Sequence, residues 1–443
     1  MEVITIETAS LGDHTYVVHD GTVALVIDPQ RDIERVLDAA EHAGIEITHI
    51  AETHVHNDYV SGGLTLSRLT GATYLHAADE PLAFDYRSVC DGDVIHVGML
   101  QVAVRATPGH TPHHLTYVVT ADGAAPSVFT GGSLLYGTVG RTDLVDPGWT
   151  ERLTREQYCS VHALADSLPD DARILPTHGF GSFCSAMSSD EESDGLLVTE
   201  RRVNLALIAD EAAFVEQLLA SLDDFPAYYA HMGPLNLAGG TAIDLSTPAS
   251  VDAVEVARRI HRGEWVVDVR ARADFAAGHV AGTIGIELDD GFSTYLAWLI
   301  PWGMPLTLLA DRPEQIAEAQ RQLVRVGIDR PAGASDLGLD TWGAGNVHRR
   351  YDRIVFADLP TDAVVVDVRQ RREFESGHLS GATNVALHEL LGRLDELPTG
   401  QLHVHCASGY RASIAASLLD RAGRNVVLID DDVAHAPSMT TSM

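Results

Sequence analysis

The sequence contains no lysine, so its 30 Lys+Arg residues are all arginine. Against them stand 63 acidic residues, which give a formal net charge of −33 at pH 7. A surface this acidic repels nucleic acid and anionic membranes, and neither is expected as a partner. The missing lysine also excludes every mechanism that uses a lysine amine as nucleophile or base.

Cysteine and long apolar runs are scarce as well. The 443 residues include only four cysteines, Cys90, Cys159, Cys184 and Cys406, without C-x-x-C spacing. Such a chain has no disulfide framework, and its thiols are expected to be reduced. No stretch approaches the roughly 20 apolar residues of a membrane span, and residues 1–20 lack the pattern of a signal peptide. These absences predict a cytoplasmic protein.

An internal repeat organises the second half of the chain. Residues 266–270 read V-V-D-V-R, and the same letters recur at 365–369. Each copy runs strand, helix, strand, which indicates a repeated α/β domain. We therefore predict a metal domain over 1–190, a linker and helical lid segment over 191–248, and two repeat domains over 249–345 and 346–443. Within this division, the polar stretch 185–195 is expected to be an exposed linker, and 226–236 either a lid or an interdomain linker.

The first half carries a cluster of histidines and one aspartate. Residues 53–59 read T-H-V-H-N-D-Y, and two further histidines follow the turns T-P-G and P-T. The predicted metal ligands are His54, His56, Asp58, His110 and His178. Imidazole and carboxylate together suit zinc or iron. The alternative is a solvated or structural histidine cluster.

Five ordered segments extend this pattern: residues 53–58, 107–111 (T-P-G-H-T), 129–131 (F-T-G), 140–143 (G-R-T-D) and 176–179 (P-T-H-G). Together they resemble the metallo-β-lactamase superfamily, in particular its branch of persulfide dioxygenases and glyoxalase II. The resemblance implies an αββα sandwich over residues 1 to about 185, with the metal at the edge between two sheets. Arg141 is predicted to bind a substrate carboxylate, and an ion pair with Asp143 is the alternative.

Two positions depart from the family pattern. Tyr59 stands where H-x-H-x-D-H ends in histidine, and Gly132 stands where the family has an aspartate after T-G. The resemblance implies that persulfide dioxygenase iron is held by residues matching His54, His110 and that aspartate. A mononuclear site of His54, His56 and His110 is one outcome, and weak or absent metal is the other. One divalent metal is expected, with Fe(II) favoured and O2 as co-substrate, and with Zn(II) as the thioester-hydrolysing alternative.

The second chemical signature is a cysteine between a strand and a helix. Residues 402–405 form an apolar strand and 414–419 an apolar helical face, with Cys406 and Arg411 between them. Such a turn directs backbone N–H groups and the positive helix end toward an anionic sulfur. Phosphatase-type loops, H-C-x5-R, would need arginine at position 412, which is Ala412. The shorter loop favours sulfur over phosphate, with Ser408, Gly409 and Tyr410 predicted to contact substrate.

This loop resembles the active-site loop of rhodanese sulfurtransferases. In the first copy of the repeat, Ala310 replaces the cysteine, so that copy is expected to be inactive. The whole chain resembles fusions of a persulfide dioxygenase with two rhodanese-like domains. The predicted function is oxidation of a low-molecular-weight thiol persulfide to sulfite, coupled to sulfur transfer that gives thiosulfate. A zinc thioester hydrolase with a sulfurtransferase domain, a metal-degenerate sulfur carrier and a homo-oligomeric assembly are left open.

Overall fold

The computed structural model describes residues 1–186, 193–437 and 439–440, and the chain divides into two compact units. The first comprises residues 1–243 with 324–327, and the second comprises 244–323 with 328–443. The middle of the predicted linker 185–195 lies outside the described residues. Among the helices of the described ranges, none combines the length and apolar character needed to span a bilayer.

The first unit contains two mixed sheets and the helices that cover them. Its strands are β1 (Glu2–Thr8), β2 (Asp13–His19), β3 (Val23–Ile27), β4 (Glu46–Ala51), β5 (Thr73–Ala77), β6 (Arg87–Val89), β7 (Val94–Val97), β8 (Leu100–Ala106), β9 (Leu115–Thr120), β10 (Ser127–Gly131) and β11 (Arg173–Pro176). Its helices are α1 (Glu34–Ala43), α2 (Gly63–Thr70), α3 (Thr150–Asp166), α4 (Leu197–Val203), α5 (Leu205–Ile208), α6 (Glu211–Ser221) and α7 (Tyr229–Ala238).

The two sheets face each other across an apolar core. One sheet has the order β1-β2-β3-β4-β5-β6 and the other β11-β10-β9-β8-β7. Alternation along β8 turns Leu100, Val102 and Val104 inward, where they pack with Leu25 and Leu75 of the opposite sheet. Helices α1 and α2 cover the outer face of the first sheet, and α3 and α6 cover that of the second. The predicted αββα sandwich is confirmed.

The second unit contains two parallel sheets. Its strands are β12 (Trp265–Asp268), β13 (His279–Val280), β14 (Ile284–Gly285), β15 (Leu306–Leu309), β16 (Gly333–Ser335), β17 (His348–Arg349), β18 (Asp352–Ile354), β19 (Val364–Asp367), β20 (His378–Leu379), β21 (Thr383–Asn384), β22 (Gln401–His405), β23 (Asn425–Ile429) and β24 (Met439–Thr440). Its helices are α8 (Ala253–His261), α9 (Arg272–Ala277), α10 (Phe292–Leu299), α11 (Pro313–Arg325, of which residues 324–325 belong to the first unit), α12 (Leu339–Trp342), α13 (Arg371–Ser376) and α14 (Tyr410–Arg421). The sheet orders are β14-β12-β15-β16 and β18-β23-β22-β19-β21.

The two copies of the repeat share one local Asp–Arg ion pair. Arg270 Nη2 donates to Asp268 Oδ2 at 2.6 Å and to the carbonyl of Gly278 at 2.9 Å. In the second copy, Arg369 Nη2 donates to Asp367 Oδ2 at 2.6 Å and to the carbonyl of residue 377 at 2.7 Å. In each case the arginine ties the end of the first strand to the end of the following helix. The predicted repeat of an α/β unit is therefore confirmed in three dimensions.

Candidate metal centre and candidate sulfur-transfer loop

All five predicted metal ligands lie at strand ends of the first unit and are at most 1% exposed. Three of them follow β4, one lies between β8 and β9, and one follows β11. Their ligand atoms form overlapping groups in which every atom lies within 4.8 Å of the others. The groups that share His178 are His54–His56–His178, His110–His178–Cys184 and Asp13–Asp58–His178, and a fourth is Asp28–Glu52–His56.

The grouping adds residues that the sequence motifs did not single out. Cys184 and Asp13 join the histidines although neither belongs to a recognised motif segment. Cys184 is fully buried, and its Sγ lies 3.9 Å from Tyr229 Oη on α7. Burial raises the pKa of this thiol well above its usual value. Only the position of Cys184, six residues after His178, connected it to the site in the sequence.

His54 and His178 face each other through their Nε2 atoms, which lie 3.4 Å apart. The Thr53 hydroxyl donates to Asp28 Oδ2 at 2.7 Å, so it accepts from His54 Nδ1 at 2.8 Å and leaves a lone pair on His54 Nε2. Two imidazole nitrogens this close need a shared proton or a common cation. Two ligands held about 2.0–2.1 Å from one tetrahedral ion would lie about 3.3 Å apart, close to the observed separation.

His110 presents a free ring nitrogen to the same space. Its Nδ1–H donates to the carbonyl of Arg141 at 2.7 Å, and its backbone N–H donates to Gln157 Oε1 at 2.6 Å. Its Nε2 is buried without a partner in the described part of the chain. A buried polar atom without a partner is costly, and a metal ion is the partner that suits a neutral imidazole lone pair.

His56 is held from one side by carboxylates and a phenol. Its Nε2 lies 3.2 Å from Glu52 Oε2, 3.3 Å from Asp28 Oδ1 and 3.0 Å from Tyr59 Oη. Burial would lower the pKa of His56, but the two carboxylates outweigh it and raise the pKa to about 10. Its Nδ1 is buried with no partner among residues 1–186, 193–437 and 439–440. That nitrogen therefore holds either a proton without an acceptor or a metal ion.

His178 contacts a second pair of carboxylates. Its Nδ1 lies 2.9 Å from Asp13 Oδ1 and 3.2 Å from Asp58 Oδ2. Burial opposes its protonation, but Asp58 and Asp13 prevail and raise the pKa of His178 to about 9. Burial and the neighbouring Asp58 raise the pKa of Asp13 to about 8. Metal binding to this imidazole must therefore displace a proton.

The two departures from the family pattern have direct structural consequences. Tyr59 stacks on His56 with ring centroids 4.3 Å apart, so it positions this histidine and offers no imidazole of its own. A Cβ at Gly132 would overlap the His110 ring, reaching Cγ at 2.6 Å and Nε2 at 2.7 Å. The aspartate of the family pattern therefore has no room at this position beside His110 as it stands.

Segment 226–236 packs against the metal-ligand loop. Its second half belongs to α7, and Asn236 Nδ2 donates to the carbonyls of His56 at 2.8 Å and Tyr59 at 2.9 Å. Asn236 Oδ1 accepts from the backbone N–H of Ser61 at 2.8 Å. One side chain thus fixes three backbone groups of the loop, and α7 forms a wall of the candidate metal centre.

Arg141 lies in an ion pair with Asp143. Its Nε and Nη2 donate to the two carboxylate oxygens at 2.7 and 2.8 Å, and Nη2 also donates to the carbonyl of Asp223 at 2.6 Å. The guanidinium carbon lies 4.7 Å from the ring centroid of Phe225. The structure thus realises the ion-pair alternative, and a contact of Arg141 with substrate stays a prediction.

In the second unit, the cysteine loop lies between β22 and α14. Cys406 is 1% exposed, and the turn into the helix passes through Gly409 at φ +90°, where a Cβ would overlap Asp430. Arg411 Nη1 and Nη2 donate to the two oxygens of Glu373 at 2.6 and 2.7 Å. The predicted strand, turn and helix are present, and Glu373 is the partner that the motif did not reveal.

The other two predicted contact residues of the loop differ in exposure. Ser408 is exposed, whereas Tyr410 is 8% exposed and donates its hydroxyl proton to the carbonyl of Glu287 at 2.9 Å. Tyr410 therefore fastens the loop to the first copy of the repeat. In that copy, the fully buried Ala310 follows β15 at the place that Cys406 has after β22.

A small, partly open cleft lies beside the cysteine loop. Its walls come from α10 of the first copy and from the strand ends of the second copy. Arg411 belongs to its lining.

Comparison with known proteins places these features in families. Residues 356–434 match the family model of the rhodanese-like domain. The chain is 31% identical over 245 residues to the mitochondrial persulfide dioxygenase ETHE1 of Homo sapiens, covering 54% of this chain and 82% of that protein. It is 33% identical over 193 residues to a hydroxyacylglutathione hydrolase of Maricaulis maris, covering 42% of this chain and 70% of that protein. A solved metallo-β-lactamase structure from Staphylococcus aureus superposes with a TM-score of 0.68 at 26% identity, covering 75% of this chain and 98% of that one.

The fold and the site thus define a metallo-β-lactamase-fold protein joined to a rhodanese-like domain. Within that class, the chain belongs to the persulfide dioxygenase family. It is an enzyme of sulfur metabolism that acts on small sulfur compounds. The family and fold predictions made from the sequence are confirmed.

Proposed function

We propose that the first unit oxidises a low-molecular-weight thiol persulfide to sulfite, and that Cys406 transfers sulfane sulfur to sulfite to give thiosulfate. The proposed oxidation rests on two buried imidazole nitrogens, His110 Nε2 and His56 Nδ1, that have no hydrogen-bond partner among the described residues. The second half rests on the strand-to-helix cysteine loop with its paired arginine.

The metal would be held by His54, His56 and His110, with His178 as a further ligand. Fe(II) is favoured, because imidazole-rich sites with open positions suit iron oxygenases, and a bound iron would activate O2 beside the persulfide sulfur. The chain's own groups prepare this site. Asn236 fixes the ligand loop, and the Asp13–Asp58 pair accepts the Nδ1–H of His178, which orients its Nε2 toward the metal.

In the overall oxidation, one persulfide, one O2 and one water react to give one thiol and one molecule of sulfurous acid. The outer sulfur loses four electrons, and O2 gains them. In the second reaction, the Cys406 thiolate attacks the outer sulfur of another persulfide, the S–S bond of the donor breaks, and the thiolate leaves. Sulfite then attacks the outer sulfur on Cys406, which forms thiosulfate and restores the Cys406 thiolate.

The test is a coupled assay with the full-length protein loaded anaerobically with Fe(II). Glutathione persulfide and O2 are supplied, and oxygen uptake, sulfite and thiosulfate are measured. Wild type is expected to give thiosulfate, Cys406→Ser sulfite alone, and His110→Ala neither product. His96→Ala changes an exposed histidine on β7 and should match wild type. If iron-loaded wild type takes up no oxygen, the oxidation half is wrong.

The likeness to hydroxyacylglutathione hydrolase favours one competing function, zinc-dependent thioester hydrolysis. This reaction needs no oxygen. Zinc-loaded protein that hydrolyses S-lactoylglutathione under nitrogen, and iron-loaded protein that leaves glutathione persulfide unoxidised in air, would establish the hydrolase instead. A chain that retains neither metal but transfers sulfur through Cys406 would be a sulfur carrier.

We retain Arg141 as a proposed substrate contact, to be separated from its structural pairing by a double-mutant cycle. If the ion pair is its whole role, Arg141→Gln and Asp143→Asn should lower the melting temperature non-additively and leave KM for the persulfide unchanged. A rise of KM in Arg141→Gln that is absent in Asp143→Asn would instead support the substrate contact.

A further inference from the structure

Cys184 lies among the histidines of the candidate metal centre, yet the proposed oxidation assigns it no task. Its Sγ and the ligand nitrogens of His110 and His178 all lie within 4.8 Å of one another. All three side chains are fully buried and belong to the first compact unit. A free cysteine is often buried for packing alone. Sulfur beside two imidazoles is, in addition, a donor set that zinc and related divalent ions accept.

The His110 ring supplies an independent sign of a ligand. Its Nδ1–H donates to the carbonyl of Arg141 at 2.7 Å, so its Nε2 carries a lone pair. That nitrogen is buried and has no hydrogen-bond partner in the described ranges 1–186, 193–437 and 439–440. The histidine that groups with Cys184 thus has an unsatisfied lone pair, and a metal ion shared with the sulfur would satisfy it.

Hydrogen bonds to one residue's main chain hold the cysteine and this histidine together. The N–H of Arg141 donates to the carbonyl of Cys184 at 2.9 Å, and the carbonyl of Arg141 accepts the His110 Nδ1–H. The N–H of Cys184 donates to Ser182 Oγ at 3.2 Å. The approach of sulfur and imidazole is therefore set before any metal binds, and preorganised ligands bind with a smaller ordering cost.

A buried divalent ion at this place needs an anionic ligand, because an uncompensated buried charge is costly. Neutral imidazoles bring no charge, and Gly132 has no side chain to offer. Four buried carboxylates near the histidines already face ring nitrogens: Asp13 and Asp58 lie at Nδ1 of His178, and Asp28 and Glu52 lie at Nε2 of His56. A thiolate at Cys184 would supply the missing charge. Burial raises the pKa of the free thiol, but a coordinating metal displaces its proton.

We infer that Cys184 is a thiolate ligand of the metal ion in the first unit, beside His110 and His178. The inference rests on the metal centre of the proposed function and adds the anionic ligand of that centre. It predicts a metal–sulfur bond, which a ligand set of imidazoles and carboxylates alone cannot give. Sulfur at the metal can be detected without oxygen, a persulfide or turnover.

X-ray absorption at the zinc edge tests the bond with Cys184 intact. Full-length Cys406→Ser is loaded under nitrogen with one equivalent of zinc, so that the buried thiol of the second unit contributes nothing. We expect one sulfur at about 2.3 Å from the metal, beside nitrogen and oxygen at about 2.0–2.2 Å. Adding Cys184→Ser to the same chain should remove the sulfur. A first chain with nitrogen and oxygen alone would overturn the inference.

Cobalt(II) alone gives an optical measurement of the same bond. Wild type with one cobalt per chain should show a near-ultraviolet charge-transfer band from sulfur to cobalt. Cys184→Ser should lose this band and bind cobalt at least about tenfold more weakly, since removing a group that merely orients a ligand already costs about 10–100-fold. Cys159→Ser is the matched control, because this exposed cysteine lies on α3 and its loss should change neither the band nor the affinity.

The outcomes separate this inference from the proposed oxidation. A Cys184→Ser chain that keeps the band and the cobalt affinity shows that Cys184 is no ligand. Should Cys184→Ser fail to fold, the zinc spectrum of Cys406→Ser decides alone. If that spectrum lacks sulfur while iron-loaded wild type oxidises a persulfide, only the ligand assignment falls. If sulfur is bound but iron-loaded wild type takes up no oxygen, the assignment stands and the oxidation falls. A chain that retains neither zinc nor cobalt overturns both.

Discussion

Replacing Gly132 by aspartate tests whether the metal centre can accept the family's carboxylate. The family pattern alone suggests that Gly132→Asp completes an iron site. The structure predicts the opposite, because a Cβ at position 132 would lie 2.6 Å from His110 Cγ, whereas carbon atoms normally keep about 3.5–4.0 Å. His110 has little freedom to retreat, since its ring and its backbone N–H are bonded to Arg141 and Gln157.

The magnitude follows from overpacking. Forcing an extra group into a filled interior costs about 1–3 kcal/mol, and a domain of this size loses about 2–4 °C of melting temperature per kcal/mol. Gly132→Ala should therefore melt roughly 5 °C below wild type. Gly132→Asp should melt lower still, because it also buries a carboxylate. Iron at 100 times its Kd would return about 2.7 kcal/mol if the aspartate could ligate it, enough to offset most of the loss.

Thermal unfolding with and without Fe(II), together with bound iron per chain, checks the prediction. We expect both Gly132 variants to bind less iron than wild type and to gain less stability from it. Gly148→Ala is the control, because its Cβ would meet only the exposed Asp146 carboxylate at 3.2 Å. An iron-binding Gly132→Asp that is more stable with Fe(II) than wild type with Fe(II) would refute the steric reasoning.

Two further perturbations probe the contacts around each site. Asn236→Ala leaves the carbonyls of His56 and Tyr59 without a hydrogen-bond donor, so it should lower the free energy of unfolding by about 1–3 kcal/mol and reduce the bound iron. Asn236→Asp keeps the side-chain volume but removes the two N–H donors. A normal melting temperature of Asn236→Asp would contradict this reasoning. Burial opposes ionisation of Glu373, but Arg411 prevails and lowers the pKa of Glu373. The ion pair's contribution to the free energy of unfolding should thus be complete above pH 4.5 and lost as the pH falls through the folded-state pKa of Glu373. Below pH 4.5, the free energy of unfolding of Glu373→Gln should therefore fall less steeply with decreasing pH than that of wild type.

Elements with local signals could be predicted from the amino-acid sequence. The recurrence of V-V-D-V-R predicted two α/β copies. In the structure the aspartate and arginine of this signature bond each other, as Asp268 and Arg270 do. The place of Cys406 between an apolar strand and an apolar helical face predicted its loop. Ala310 at the matching place predicted a copy without a nucleophile. The histidine segments predicted a site at strand ends, because loops after neighbouring strands meet at one edge of a sheet.

Which groups those residues contact depends on how distant segments pack together. Cys184 and Asp13 join the histidines because distant strand ends converge, and no spacing in the sequence encodes that convergence. The lack of room at Gly132 depends on where the His110 ring lies. Part of the lining of the cleft beside the cysteine loop comes from α10, more than a hundred residues before Cys406, because both copies lie within one compact unit. Motifs specify which side chains a site can use. The direction in which each imidazole nitrogen points, the space around each residue and the lining of each site depend on packing between segments far apart in the chain.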